Sequence, residues 1–207
     1  MKLFSEKAIV QLLAIFLGFT FFGAGMAKLY NGHSYFGWIG PVWLIERLEE
    51  YSLGLYAKFI ALSQVLIGYL LLTSRFKLLG SIMMVPMILN ILMVTISQQW
   101  RGTPFVLAVL LIFNLIILWH YRSFFPPLLN ENLKKVKSSS VSLKSSLGHL
   151  VWLSGLSLQF LSIAISYYSL RFAFLISFAG LSISILSFLV DKKINLRNLN
   201  EANQTNS

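Results

Sequence analysis

No cysteine occurs anywhere in the 207 residues. That excludes disulfides, thiolate metal sites, Cys-ligated iron–sulfur clusters and a dithiol relay within the chain. Charge is scarce too: 12% of the residues are charged, against about 25% in an average soluble domain. No Gly-rich phosphate loop and no nucleophile elbow interrupts the sequence, so neither phosphate cradling nor that form of nucleophilic catalysis has its usual carrier. His33, His120 and His149 lack the His-x-x-x-His or Glu-x-x-His spacing of a metal or di-iron site. No metal or other bound cofactor is specified by these residues.

What the chain does have is apolar surface: 57% of its residues are hydrophobic and its mean hydropathy is +0.73. A soluble globule of this mass still exposes much of its area and could not hide so much of it. Lipid is the solvent this composition fits. Six apolar runs stand out, at 8–29, 53–73, 78–97, 103–119, 148–170 and 172–190. Each is near the roughly 20 residues needed to cross about 30 Å of hydrocarbon at 1.5 Å per residue. The expectation is an all-α membrane protein: a four-helix transmembrane bundle over residues 1–125, then a two-helix transmembrane hairpin over 148–190. A basic, Ser-rich cytoplasmic linker joins them at 126–147, and a polar, disordered tail follows over 191–207.

The formal net charge of +10 does not mark a nucleic-acid partner, because the cations sit at the ends of apolar runs and not on one face. With the N-terminus inside, twelve Lys and Arg fall in inner segments and four in outer ones, with Lys58 inside the second run. Positive-inside bias therefore predicts both termini in the cytoplasm. The first run mimics a signal peptide ending at Gly25-Met26-Ala27, but it is longer than the usual apolar region of one and is expected to stay as helix 1. In the long outer connection, 30–51, the stretch Tyr35 to Ile45 is apolar and too short to span. Broken by Gly37, Gly40 and Pro41, it reads as re-entrant or interfacial.

Three amides mark a candidate intramembrane polar pocket. Gln64 and Asn114 lie about 17 Å and Asn90 about 10 Å below the outer helix ends at 1.5 Å per residue. They could meet inside the bundle, either as interhelical hydrogen bonds or as a site for a polar ligand. Lys28, Glu46, Glu49, Glu50 and Lys58 form a candidate outer charged cluster, in which a carboxylate would relieve the cost of Lys58 inside its helix. Pro86 is expected to kink the third helix.

At the end of helix 1, Phe22-Gly23-Ala24-Gly25-Met26-Ala27-Lys28-Leu29 resembles the signature of DoxX-like membrane proteins. So does the second helix, with Gln64, Gly68, Leu70-Leu71-Leu72 and Arg75. The resemblance covers residues 8 to about 125 and implies a four-helix bundle with a long first external loop. It also implies a non-catalytic subunit or anchor of a membrane redox complex, since members include a subunit of thiosulfate:quinone oxidoreductase. It admits a quinone as ligand and a bacterial inner membrane as location. The family often has Glu where this chain has Gln64, which weakens a proton-linked role there, and the hairpin is an addition to its pattern. Besides the bilayer, the expected partner is a redox protein or a second copy of the chain. A small-solute transporter or channel with a polar midplane site is the alternative. An enzyme working through the external Glu residues and Lys28 would need a carboxylate pair that a loop does not hold in place.

Overall fold

The computed structural model describes residues 5–126 and 144–205, with side chains up to residue 196. The basic stretch expected as a linker lies mostly outside the described residues. Seven α-helices are present and no strand occurs among the described residues: α1 Glu6–Leu29, α2 Leu44–Glu49, α3 Gly54–Leu72, α4 Lys77–Ser97, α5 Thr103–His120, α6 Ser146–Ser166 and α7 Leu170–Thr205. All but α2 are long and apolar enough to cross a membrane. Their outward faces carry Leu12, Phe59, Met93, Phe105, Ile112, Leu175 and Phe178 in the open, a surface that only lipid solvates without cost. The chain is a polytopic membrane protein of six apolar helices. It divides into two compact units, Met1–Ser138 and Ser139–Ser207.

In the first unit, α1 packs on α3, α3 on α4, α4 on α5, and α5 back on α1, a closed four-helix ring in chain order. The interior is aliphatic and includes Leu17, Leu71, Met84, Ile88 and Ile117. Between helices in lipid, van der Waals fit replaces the hydrophobic effect, so small residues decide which faces meet. Along α1 and α3 they are Gly18, Gly25 and Gly68. A Cβ at Gly68 would lie 2.7 Å from Phe22 Cα, and one at Gly25 would lie 2.7 Å from the Ala61 carbonyl oxygen and the Val65 nitrogen. These contacts bring the two backbones together and fix their register.

The helix ends follow ordinary capping chemistry. Ser5 caps α1 by accepting from the Ala8 N–H at 3.3 Å, and Glu6 favours the positive end of the same helix. At that end of the bundle Gln11 donates to Ser74 Oγ at 2.7 Å and accepts from Lys77 Nζ at 2.6 Å, tying α1 to the α3–α4 turn. Pro86 lies within α4, which is one helix from Lys77 to Ser97; the missing N–H leaves the Ile82 carbonyl without its usual donor.

The second unit is a helical hairpin with its own polar clamp. Gln159 donates to the Ser177 carbonyl at 2.9 Å, and the Ser177 hydroxyl returns a bond to Gln159 Oε1 at 2.8 Å. Gly180 lies against Gly155 and Gln159, so the backbones approach closely. Asp191 accepts from the backbone N–H and the hydroxyl of Ser145 at 2.9 and 2.7 Å, while the same hydroxyl caps α6 at Gly148. The expected disordered tail begins at Asp191, yet α7 continues as helix through it to Thr205. The polar composition from Asp191 onward marks where the apolar span ends, and it does not break the helical hydrogen-bond ladder.

Candidate ligand-binding cavity

The connection between α1 and α3 descends along α1. The Phe36 carbonyl lies 3.0 Å from where a Cβ of Gly23 would stand, six residues and so about 9 Å below the end of α1. Trp38 packs edge-on against Phe16, ring centroids 5.5 Å apart, and Phe36 packs against Phe19 at 5.8 Å. Residues 35–38 hold no regular structure. The residues that follow them line a cavity. Tyr35 to Ile45, expected as re-entrant or interfacial, starts by running back along α1 from its end.

Beneath that segment lies a cavity of about 490 Å³. Ile39, Gly40, Pro41, Trp43 and Leu44 form one wall. Phe21, Ile91, Leu107 and Leu110 line the body, and Thr20, Gln64, Lys28 and Arg101 supply polarity. Trp43 and Trp100, 5.2 Å apart, stand together at its edge. No carboxylate is among the lining residues. Thr20 has already given its proton to the Phe16 carbonyl at 2.8 Å, so only its lone pairs remain to serve a ligand.

Among the described residues, one lining atom lacks a hydrogen bond and one buried lining charge lacks a counter-ion. Gln64 is 4% exposed, and its Oε1 has no hydrogen-bond partner. Lys28 is 5% exposed, and its Nζ donates to the Ala24 carbonyl at 2.9 Å but meets no carboxylate. Because Gly25 sits against Ala61 and Val65, Gln64 is level with Gly25. Lys28 is level with about Ile60, six residues or about 9 Å inside the end of α3. An ammonium at such depth costs up to a few kcal/mol unless something balances it.

Two of the expected groupings change in this arrangement. Asn114 is fully buried and donates to the Ser81 carbonyl at 2.9 Å, but it is not among the cavity-lining residues. Asn90 is exposed on the outside of α4, because the register that buries Met87, Ile88 and Ile91 turns position 90 outward. Of the three amides only Gln64 reaches the cavity. The outer charged cluster also comes apart. Glu46 pairs with His33 Nε2 at 2.9 Å, and Glu50 with Arg47 at 2.6 Å. Glu49 and Lys58 are exposed, and Lys58 has no ion pair among the described residues. Lys28 forms no ion pair with a carboxylate among the described residues. His33 Nδ1 also faces the Ala27 carbonyl at 3.1 Å, fastening the start of the connection to the last turn of α1. Sequence reasoning missed Arg101, Trp43 and Trp100 as parts of one site; the signal available was that all three fall in connections on the same side of the membrane.

Arrangement and composition together define a multi-pass membrane protein with a cavity in one end of its first bundle. Over 125 residues, 56% of this chain and 79% of the relative, it is 28% identical to a Bacillus subtilis (strain 168) protein described as "Uncharacterized protein YwoB". No family model matches the chain, and no solved structure matches it.

Proposed function

We propose that the first unit is a non-catalytic membrane module that binds a small amphiphilic molecule in the cavity beneath the connection between α1 and α3. The carrying observation is an unpartnered Gln64 Oε1 together with a Lys28 ammonium that has a hydrogen bond but no counter-ion among the described residues, both set in an otherwise apolar chamber. Buried polar atoms are ordinarily paired, and those that are not mark places where a ligand or water completes the structure. The chamber is large enough for a small ligand's head and part of its body. It offers no nucleophile–base pair and no carboxylate to move a proton, which supports binding over catalysis. The resemblance to DoxX-like proteins makes a quinone-linked oxidoreductase the first partner to seek and a bacterial inner membrane the place to seek it.

The test is to purify the full chain in a mild detergent and identify by mass spectrometry both the small molecules and the proteins that accompany it. A small molecule near one-to-one stoichiometry is expected. It should disappear in Leu107→Trp, which fills the chamber, while the melting temperature stays within a few degrees. An oxidoreductase at fixed stoichiometry in the same sample would make the chain its membrane subunit. A wild-type protein that carries nothing, and is indistinguishable from Leu107→Trp in every added-ligand titration, would overturn the binding module.

A further inference from the structure

We propose that the cavity selects an acidic amphiphile: a molecule with a single anionic oxygen head, carboxylate or phosphate, on an apolar body. This rests on the binding-module reading and goes further, because it names the charge of the ligand.

The argument begins with charge balance. Two of the lining residues are cationic, Lys28 and Arg101, and none is acidic. No carboxylate pairs with Lys28 among the described residues: Glu46 is held by His33, Glu50 by Arg47, and Glu49 is exposed. Lys28 folds back toward the bundle interior, with its Nζ on the Ala24 carbonyl. Its ammonium is therefore held in the chamber and does not snorkel out of it, which would have been the cheap solution for a long side chain near a helix end. A neutral ligand would leave that ammonium unbalanced, whereas an anionic head would balance it through charge-assisted hydrogen bonds.

The rest of the chamber fixes the ligand's shape. Phe21, Ile91, Leu107 and Leu110 offer nothing to a hydrophilic anion such as inorganic phosphate but can cover an alkyl or ring body. Gln64 Oε1, unpartnered and level with Gly25, accepts a hydrogen bond and would repel a carboxylate oxygen placed against it. The anionic head therefore belongs on Lys28 and Arg101, and a hydroxyl or N–H borne on the body would suit Gln64. Arg101 is exposed, so it can meet the head before Lys28 does.

The decisive comparison keeps the apolar body constant and removes the charge. Dibromostearate quenches tryptophan on contact, and Trp43 and Trp100 line the chamber; its methyl ester has the same chain and bromines with no anion. Titrating the full chain in detergent, the acid is expected to quench saturably at a concentration at least tenfold below the ester. Lys28→Met should bring the acid to the ester's level without moving the ester, Lys28→Arg should keep most of the preference, and Arg101→Gln should weaken the acid severalfold. A monoacyl glycerol phosphate should compete with dibromostearate, and millimolar inorganic phosphate should not. Equal binding of acid and ester, unchanged in Lys28→Met, sinks the charge assignment and leaves the binding module standing. Displacement by inorganic phosphate with no saturable acid binding overturns the amphiphile. Failure of acid and ester alike, in a protein that also carries no co-purifying molecule, removes the module itself. Should Lys28→Met not fold, Arg101→Gln on the rim carries the same comparison.

Discussion

Consider replacing Gly68 by valine. A Cβ at this position would stand 2.7 Å from Phe22 Cα, where ordinary carbon contacts lie at about 3.5–4.0 Å. The obstacle is backbone, so no rotamer change relieves it, and α1 and α3 must part by roughly 1 Å. A gap of that size forfeits about a quarter to a half of each contact's dispersion energy. It would be felt along the whole seam, since Gly18 meets Leu72 and Gly25 meets Val65 in the same register. Overpacking costs about 1–3 kcal/mol, and an unyielding obstacle belongs in the upper half of that range. Valine's better helix propensity returns only a few tenths of a kcal/mol. A net loss of about 2 kcal/mol should lower the melting temperature of the detergent-solubilised protein by about 8 °C, read from tryptophan fluorescence. Gly80→Ala is the milder comparison, because its Cβ would meet Leu71 Cγ at 2.9 Å, which turns with its side chain, and Leu70 Cβ at 3.1 Å, which needs to give by only a few tenths of an ångström. It should stay within about 2 °C, its helix-propensity gain offsetting the crowding. If Gly68→Val melts with the wild type, or Gly80→Ala is equally damaging, the register of α1 on α3 is wrong.

Three further outcomes follow from the same contacts. Gln159→Leu removes the bond from the Ser177 hydroxyl to Gln159 Oε1, and a double-mutant cycle with Ser177→Ala should give a coupling of about 0.6–1.7 kcal/mol in detergent-unfolding titrations; additivity would argue against the clamp. Gln64→Leu should weaken the co-purifying molecule at least fivefold in a competition assay without lowering the melting temperature, whereas Asn90→Leu should change neither. An equal effect of both would restore the three-amide pocket. Lys28→Met should raise the stability of the ligand-free protein by about 1–2 kcal/mol, because an ammonium unbalanced at this depth is costly; a lower melting temperature would mean that Lys28 has a structural partner.

The spans were legible because each is an unbroken apolar run of bilayer length, and residues such as Lys7, Arg75 and Arg122 stand close to the ends of these runs. That Tyr35 to Ile45 forms no span of its own was legible for a related reason, since the stretch is apolar but too short to cross. Which side of a helix faces inward was not. In a membrane helix both faces are apolar, so Asn90 and Asn114 look alike in sequence, and only the packing of Met87, Ile88 and Ile91 turns one outward. Sequence places Lys28 near the outer face because it closes its own apolar run. α3 extends about two turns beyond α1 on that side, a stagger fixed by glycine contacts that no single run reveals. The helical course of α7 beyond Asp191 was missed because polarity was taken as disorder, whereas a helix leaving the membrane can keep its backbone bonds in water.

The clamp between Gln159 and Ser177 also bears on how the chain is made. During synthesis α6 emerges first, and its Gln159 side chain has no partner until Ser177 follows eighteen residues later. Released singly into hydrocarbon, α6 would carry an unsatisfied amide at its middle. Held back until α7 is complete, the two helices enter with that amide already paired and with Ser145 and Asp191 joined at their base. The hairpin is therefore expected to insert into the membrane as one unit. A truncation between α6 and α7 should release a poorly inserted helix that quality-control proteases remove.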